Sequence, residues 1–424
     1  MGLFEPRSRY VTFDGSIRRN EMSHLRKKTI DDIDFSGHRV MVRVDFNVPI
    51  ENGQITDDRR IRESLPTIRK IISGGGIPII MSHFGRPGGK YVPELSLKPV
   101  AKRLEELLGR PVTFIPDDLS ETAINLREHG LPGDVFLLEN TRFYSGEEKN
   151  DPEFAKFIAG HADIFINDAF GTSHRAHAST VGITNYMHLS AMGYLMKKEL
   201  DIMVGLLEDP KRPYFAIIGG SKVSSKINLL NALMDKCDKI MVGGAMASTF
   251  FGSLGISQGC GPIEKNKFDV ARQILEKTES VEPFKGNLLL PIDQIATNEI
   301  SEKGTRTVYP YDQVPEDVMV ADIGPDSVAR FRQELESANT IVMNGPVGVF
   351  EIEQFAVGTR ELLKKIAERV SQGAVGILGG GDSAAAAAKF GLADQMTHIS
   401  TGGGASMTLL EGSDLPAVEA LSDR

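Results

Sequence analysis

Five arginines, Arg43, Arg60, Arg86, Arg142 and Arg175, fall at or just beyond the ends of apolar runs that read as strands. Each could project a guanidinium into one shared cleft, because open α/β sheets bind ligands outside the carboxyl ends of their strands. Arginine grips carboxylate or phosphate through two parallel hydrogen bonds, so a small polyanion is the expected ligand. Asp45 and Asn47 end one run and add an acceptor and an amide, while His83 to Arg86 and His174-Arg175-Ala176-His177 add donors. The second half of the chain carries glycines at matching places. Gly219-Gly220-Ser221-Lys222 follows the run Phe215 to Ile218, and Gly379-Gly380-Gly381-Asp382-Ser383 follows Val375 to Leu378. Thr401-Gly402-Gly403-Gly404 precedes the helical stretch Ala405 to Leu410. Such turns let backbone approach a phosphate, and the helix start behind them offers free N–H groups and the positive dipole end.

Plainer readings exist for these turns. The first fits an ordinary βα turn with Lys222 and Lys226 solvated, and it is not a Walker A loop. The second matches the loose dinucleotide pattern G-x-G-x-x-A, which wants an acidic residue about 20 positions on to hold a ribose. Residues 399 to 404 are instead Ile-Ser-Thr-Gly-Gly-Gly, which weakens a nicotinamide-nucleotide reading. Asp382 suits Mg²⁺, an ion that favours one or two carboxylates plus phosphate oxygens. The plainer alternative, a cap on its helix, could hold at the same time.

The elements that must hold these side chains alternate. Val40 to Val44, Ile77 to Met81, Val112 to Ile115, Val135 to Leu138 and Ile164 to Ile166 read as strands, with helical spacing at Leu65 to Ile72 and Leu97 to Leu108. Met192 to Leu207 carries apolar residues at i, i+3, i+4 spacing and reads as a long helix between domains. A second alternation follows at Tyr214 to Ile218, Ile240 to Val242, Leu288 to Leu290, Thr340 to Met343 and Val375 to Leu378. The fold class is therefore α/β: two doubly wound parallel-sheet, Rossmann-like domains joined by a long helix about which they hinge.

Composition narrows the function. At 424 residues the chain fits two domains. Its net charge of −9 argues against nonspecific binding to nucleic acid or anionic membrane, which draws on a broad surplus of Lys and Arg. Two cysteines, Cys237 and Cys260, make no disulfide framework and point to a reducing, cytoplasmic setting. No apolar stretch approaches the 18 or so residues of a membrane span, and no secretory signal is evident. Residues 1 to 28 hold seven Lys/Arg against three acids, and a disordered extension is the expectation there.

Arg43-Val-Asp45-Phe-Asn47-Val-Pro49, Ser82-His83-Phe-Gly85-Arg86-Pro87, Leu138-Glu-Asn140-Thr-Arg142-Phe143 and Asn167-Asp-Ala-Phe-Gly171-Thr-Ser-His174-Arg175-Ala-His177 stand in one order. Gly219-Gly-Ser-Lys222, Asn344-Gly-Pro-Val-Gly-Val-Phe-Glu351, Gly380-Gly-Asp382-Ser383 and Ser400-Thr-Gly-Gly-Gly404 follow them. Through these motifs the chain resembles the phosphoglycerate kinases, from about Lys28 to its end. The resemblance implies a monomeric enzyme that moves a phosphoryl group reversibly between ATP and 3-phosphoglycerate, with Mg²⁺. It implies that Asp45 and Asn47 hold the glycerate hydroxyl, with Phe46, Phe84 and Gly85 beside them, and that Arg60 grips the carboxylate being phosphorylated. His83, Arg86, Arg142 and Arg175 would anchor the substrate's own phosphate. Lys222 would meet the group in flight, supported by Gly380 and Gly403; Lys226 would meet the nucleotide phosphates, Glu351 the ribose and Asp382 the metal. Gly219, Gly243, Asn344, Gly381 and Ser383 complete the implied nucleotide site.

The implied divisions are an extension over 1–24, a 3-phosphoglycerate-binding domain over 25–191 with the tail 411–424, an interdomain helix over 192–209 and a nucleotide-binding domain over 210–410. Three departures stand out. Met343 replaces a Trp common before Asn-Gly-Pro, Ser225 replaces an Asp often found before Lys226, and residues 1–21 have no family counterpart, so Met22 is the expected functional start. Two other classes stay open on the residues alone. A noncatalytic two-domain protein would bind the acid without consuming ATP, and a dehydrogenase would bind nicotinamide.

Overall fold

The computed structural model describes residues 26–51, 53–117, 129–280 and 286–424. The expected extension over 1–24 and the start at Met22 lie outside the described residues. Two six-stranded parallel sheets organise the chain. In chain order the first holds β1 (Arg39–Arg43), β2 (Ile77–Met81), β3 (Thr113–Ile115), β4 (Phe136–Leu138), β5 (Ile164–Asn167) and β6 (Ser190–Met192). The second holds β7 (Tyr214–Ile218), β8 (Lys239–Val242), β9 (Leu288–Leu289), β10 (Thr340–Asn344), β11 (Val375–Gly379) and β12 (His398–Ile399). Spatial order is β3-β4-β2-β1-β5-β6 in the first and β9-β8-β7-β10-β11-β12 in the second. Helices cover both faces, which is why the central strands read as unbroken apolar runs rather than alternating ones; β2 and β7 are buried at every position.

Register explains the site. Arg43 at the end of β1 pairs with Met81 of β2 and with Asn167 of β5, so the segments beginning at Val44, Ser82 and Asp168 leave the sheet along one edge. In the second sheet Ile218 pairs with Val242 and Asn344, Asn344 with Gly379, and Leu378 with Ile399. The loops starting at Gly219, Gly243, Gly345 and Gly380 therefore also share one edge. The order reverses between β7 and β10, a topological switch point where such sheets open a crevice.

Sequence reading missed the short edge strands β6 and β12, because three and two residues of mixed polarity carry no periodic signal. It also missed a three-stranded antiparallel sheet built from Asp293–Thr297, Thr307–Pro310 and Met319–Ile323. A bulge between Ile295 and Ala296 breaks the register there. The helix expected over Met192–Leu207 spans Tyr194–Glu208, since Met192 completes β6. Its first turn is capped by Asp168, whose carboxylate accepts from Leu195 N–H at 2.9 Å and Met196 N–H at 3.2 Å. The chain's last residues cross back to the first sheet: Ser422 N–H donates to Ser190 O at 3.0 Å, and buried Lys27 donates to Glu419 O at 2.8 Å and Leu421 O at 2.9 Å. Among the described residues no helix is long and apolar enough to cross a membrane, and both cysteines are free.

The Asp168 cap gives a pH-dependent prediction. Burial pushes its carboxyl up to about 7, against hydrogen bonds from Thr67, Met196 and Leu195 that favour the ionised form. Glu63 adds like charge, and Glu63 is itself paired with Lys198 of the capped helix at 3.0 Å. An unfolded aspartate ionises near 3.9, so between about pH 4 and 7 the folded chain keeps a proton that the unfolded chain has lost. Stability from this group must fall as pH rises through that window. Asp168→Asn cannot ionise, and its melting temperature minus that of the parent should rise by about 2 °C or more between pH 5 and 8. A difference that stays constant across that range would show that Asp168 does not titrate there.

Candidate active site

A cleft of about 260 Å³ opens at the shared edge of the first sheet. Asp45, Asn47, Arg60, His83, Gly85, Arg86, Arg142, His174 and Arg175 line it from the first lobe, and Thr401 to Gly404 close it from the second. Arg60 is the second residue of the helix Arg59–Ser73. Its Nη1 donates to Asp45 Oδ2 at 2.9 Å, and its Nη2 reaches across to Thr401 O at 3.4 Å. Asp45 is almost entirely buried. Burial, the largest influence, would raise its pKa, but its neighbours, Arg60 first among them, together outweigh this and hold the carboxyl below its ordinary value.

The loop carrying His83 is fixed from both sides. Asn47 Oδ1 accepts from Gly85 N–H at 3.0 Å, and Arg142 Nη1 donates to Gly85 O at 2.7 Å. Burial drives His83 well below its ordinary pKa, with Arg43, Arg142 and Arg60 adding like charge against Asp45, so the ring is neutral. Arg43 Nη2 lies 3.3 Å from His83 Nδ1. A guanidinium has only donors, so Nδ1 accepts and Nε2 carries the proton. Behind it, Arg43 Nε donates to Ser179 Oγ at 2.9 Å, which donates to buried Glu147 at 2.6 Å.

The lobes meet through the interdomain helix. Glu199, fully buried on that helix, accepts from His398 Nε2 at 2.8 Å, from Thr401 N–H at 2.7 Å and from Thr401 Oγ1 at 2.8 Å. One carboxylate thus ties the helix to the loop that closes the arginine cleft. A second cleft of about 330 Å³ lies at the switch point of the second sheet. Its wall is apolar, from Ala245, Pro262, Ile300, Met319, Val320, Ala321, Pro346 and Val349, with Ser221, Glu351 and Asp382 at polar positions. Gly219 must lack a side chain here, because a Cβ would sit 2.0 Å from Pro346 O. Gly380 starts the helix Gly381–Lys389 with φ +87°, a conformation glycine adopts without strain. The two clefts approach each other here: a Cβ on Gly403, which lines the first, would lie 4.0 Å from Gly380 Cα, two residues before Asp382, which lines the second.

Residues 30–413 match the family model described as phosphoglycerate kinase. A phosphoglycerate kinase of Thermosipho africanus is 52% identical over 403 residues, covering 94% of this chain and 99% of the relative. One from Chloroherpeton thalassium is 48% identical over 399 residues, covering 94% of this chain and 100% of the relative. Among solved structures, the Coxiella burnetii phosphoglycerate kinase superposes with a TM-score of 0.81 at 42% identity, covering 93% of this chain and 98% of that one. The Pyrococcus horikoshii OT3 enzyme superposes with 0.80 at 31% identity and the same coverages.

The chain belongs to the phosphoglycerate kinase family.

Against the residues expected from that family, the structure places most of the acid-side ones in the first cleft, but of the nucleotide-side ones only Glu351 and Asp382 line the second, with the others in the loops and turns around it. Arg60, Arg86, Arg142 and Arg175 converge as expected, but Arg43 does not line the cleft; it is fully buried behind His83. Phe46 and Phe84 are core side chains and line neither cleft, leaving only their backbone near it. Phe46 N–H is taken by Ser82 Oγ at 2.8 Å and Phe84 N–H by Asn140 Oδ1 at 3.0 Å. Lys222 is exposed and lines neither cleft. Lys226 is more enclosed, with Nζ against Asn344 Oδ1 and 3.5 Å from Met407 Sδ; burial lowers its pKa against the pull of Asp382 and Glu411. Gly243 backs the nucleotide-side loops, its N–H bonded to Ile218 O at 3.1 Å, and Ser383 Oγ accepts from Gly345 N–H at 2.8 Å. Behind Lys222 the chain makes a single 3-10 turn, Val223–Ser225, before the helix Ile227–Met234. Ser224 N–H in that turn is occupied by Glu264. Sequence reading also missed Glu199 and the apolar wall from the antiparallel sheet, neither of which any motif marks.

Proposed function

We propose that the chain transfers the γ-phosphoryl group of ATP reversibly to the carboxylate of 3-phosphoglycerate, giving 1,3-bisphosphoglycerate and ADP, with the acid in the arginine cleft and the nucleotide in the apolar cleft. The observation that carries this reading is the approach of residues 401–404, which close the arginine cleft, to the start of the helix that holds Asp382 of the apolar cleft: a Cβ on Gly403 would come 4.0 Å from Gly380 Cα. The accepting carboxylate is ionised and nucleophilic at neutral pH, so no general base is required. What the reaction needs is positioning and positive charge against the equatorial oxygens of the transferring group.

Arg60 is the residue placed for the reacting end of the acid, since it sits at the seam between lobes. Arg86, Arg142, Arg175 and the neutral Nε2–H of His83 anchor the remote phosphate, while Asp45 and Asn47 face the hydroxyl. Lys226 and the loops at Gly219, Gly243, Gly380, Gly381 and Ser383 hold the triphosphate, with Asn344 orienting Lys226 and Glu351 reaching the ribose. Lys222, outside both clefts here, reaches the transferring group when the lobes close, and closure excludes water. Mg²⁺ fits the residues present: among the described residues no three His, Cys, Asp or Glu cluster to cage a metal, and the cleft is lined by the carboxylate of Asp382 as well as by Ser221 and Glu351. One carboxylate with phosphate oxygens is a usual set for that ion. When bound it would offset charge on the phosphates. We place the enzyme as a cytoplasmic monomer with no nucleic-acid or membrane partner.

A coupled assay tests the reading. ADP release should require ATP, Mg²⁺ and 3-phosphoglycerate together. Binding of the acid without ATP turnover would favour a receptor, and binding of nicotinamide dinucleotide a dehydrogenase.

A further inference from the structure

The turn that follows Lys222 is tied down from outside the sheet it grows from. Lys222 holds the N-cap position of Val223–Ser225 in extended backbone, with φ −133° and ψ 120°. The Glu264 carboxylate accepts from Ser224 N–H at 2.8 Å and from Ser224 Oγ at 2.5 Å. Glu264 is held in turn: its own N–H donates to Thr249 Oγ1 at 3.2 Å. Thr249 is fully buried in the helix Ala245–Ser253. The first residue of that helix, Ala245, and Pro262, two residues before Glu264, both line the nucleotide-side cleft. Among the described residues no hydrogen bond to the Lys222 ammonium is seen, and Lys222 acts on the Glu264 carboxylate through charge, so the turn beneath it and that carboxylate set its direction.

We propose that Glu264 is a positioning residue for Lys222. It fixes the turn from which the lysine projects and joins that turn to the wall of the nucleotide cleft, so a seated nucleotide and an aimed Lys222 share one support. The inference rests on the role proposed above for Lys222. The same internal carboxylate occupies the Ser224 N–H that an anion at the start of this turn would otherwise use.

Glu264 is only half-buried, so its variants should fold. Glu264→Ala should lower kcat by about tenfold, as expected when a reacting group is left slightly misplaced, while KM for ATP changes by less than about twofold. Glu264→Gln keeps an acceptor oxygen of the same reach and should restore most of the loss. In a Lys222→Ala background, Glu264→Ala should add nothing further, since residues that act as a unit are not additive. Full turnover of Glu264→Ala beside a crippled Lys222→Ala would overturn this inference alone, as would an equal loss in both backgrounds. Near-normal turnover of Lys222→Ala would remove the reading of Lys222, and this inference with it.

Discussion

Lys222→Ala should lower turnover by about 10³-fold or more, in line with other cations that stabilise a phosphoryl group in transfer. The binding of each substrate alone should change far less. Lys222 is exposed and lines neither cleft, so it adds little to holding either ligand before closure. Its effect must then fall on the transition state, where charge spreads over equatorial oxygens and a fixed ammonium is worth most. Lys222→Arg keeps the charge but spreads it over a planar fork on a longer stem, and should recover only part of the rate. Near-normal kcat in Lys222→Ala with both substrates bound would remove this residue from the chemistry.

Arg60→Ala should cost on the order of 10²-fold or more in kcat/KM, the usual scale for one preorganised donor at a developing charge. The loss has two sources. The guanidinium that faces the reacting end of the acid disappears, and so does the bridge of Asp45 Oδ2 to Nη1 at 2.9 Å. Asp45 would then be a buried carboxylate without its main counter-charge, and its pKa should rise because burial would be opposed less. Arg60→Lys separates the two effects, keeping a positive charge near Asp45 while losing the second donor that reaches Thr401 O. Arg60→Lys should therefore preserve thermal stability better than activity. Equal recovery of both would mean that Arg60 serves the fold rather than the reaction.

The alternation of strands and helices was legible because fully covered parallel strands must be apolar throughout, and β2 and β7 matched their expected bounds residue for residue. The arginine cleft was legible for the same reason: strand ends in register deliver their next residues to one edge, as Arg43, Met81 and Asn167 show. Arg43 itself was misread. Its guanidinium was expected in the cleft, but as the last residue of β1 it is buried in the sheet's packing and supports His83 from behind. Glu199 and Glu264 were illegible because their partners, Thr401 and Ser224, lie 202 and 40 positions away and no local spacing links them. The apolar wall at Met319 to Ala321 was hidden for a related reason: four- and five-residue antiparallel strands interrupted by a bulge give too broken a pattern to read.

The most direct test is a crystal structure with 3-phosphoglycerate and a non-transferable ATP analogue bound together. The acid should lie among Arg60, Arg86, Arg142 and Arg175 and the nucleotide between Pro346, Met319 and Glu351, with closed lobes bringing Lys222 between the acid's carboxylate and the terminal phosphate. Both molecules lodged in one lobe, or Lys222 still turned to solvent in the closed complex, would contradict the account.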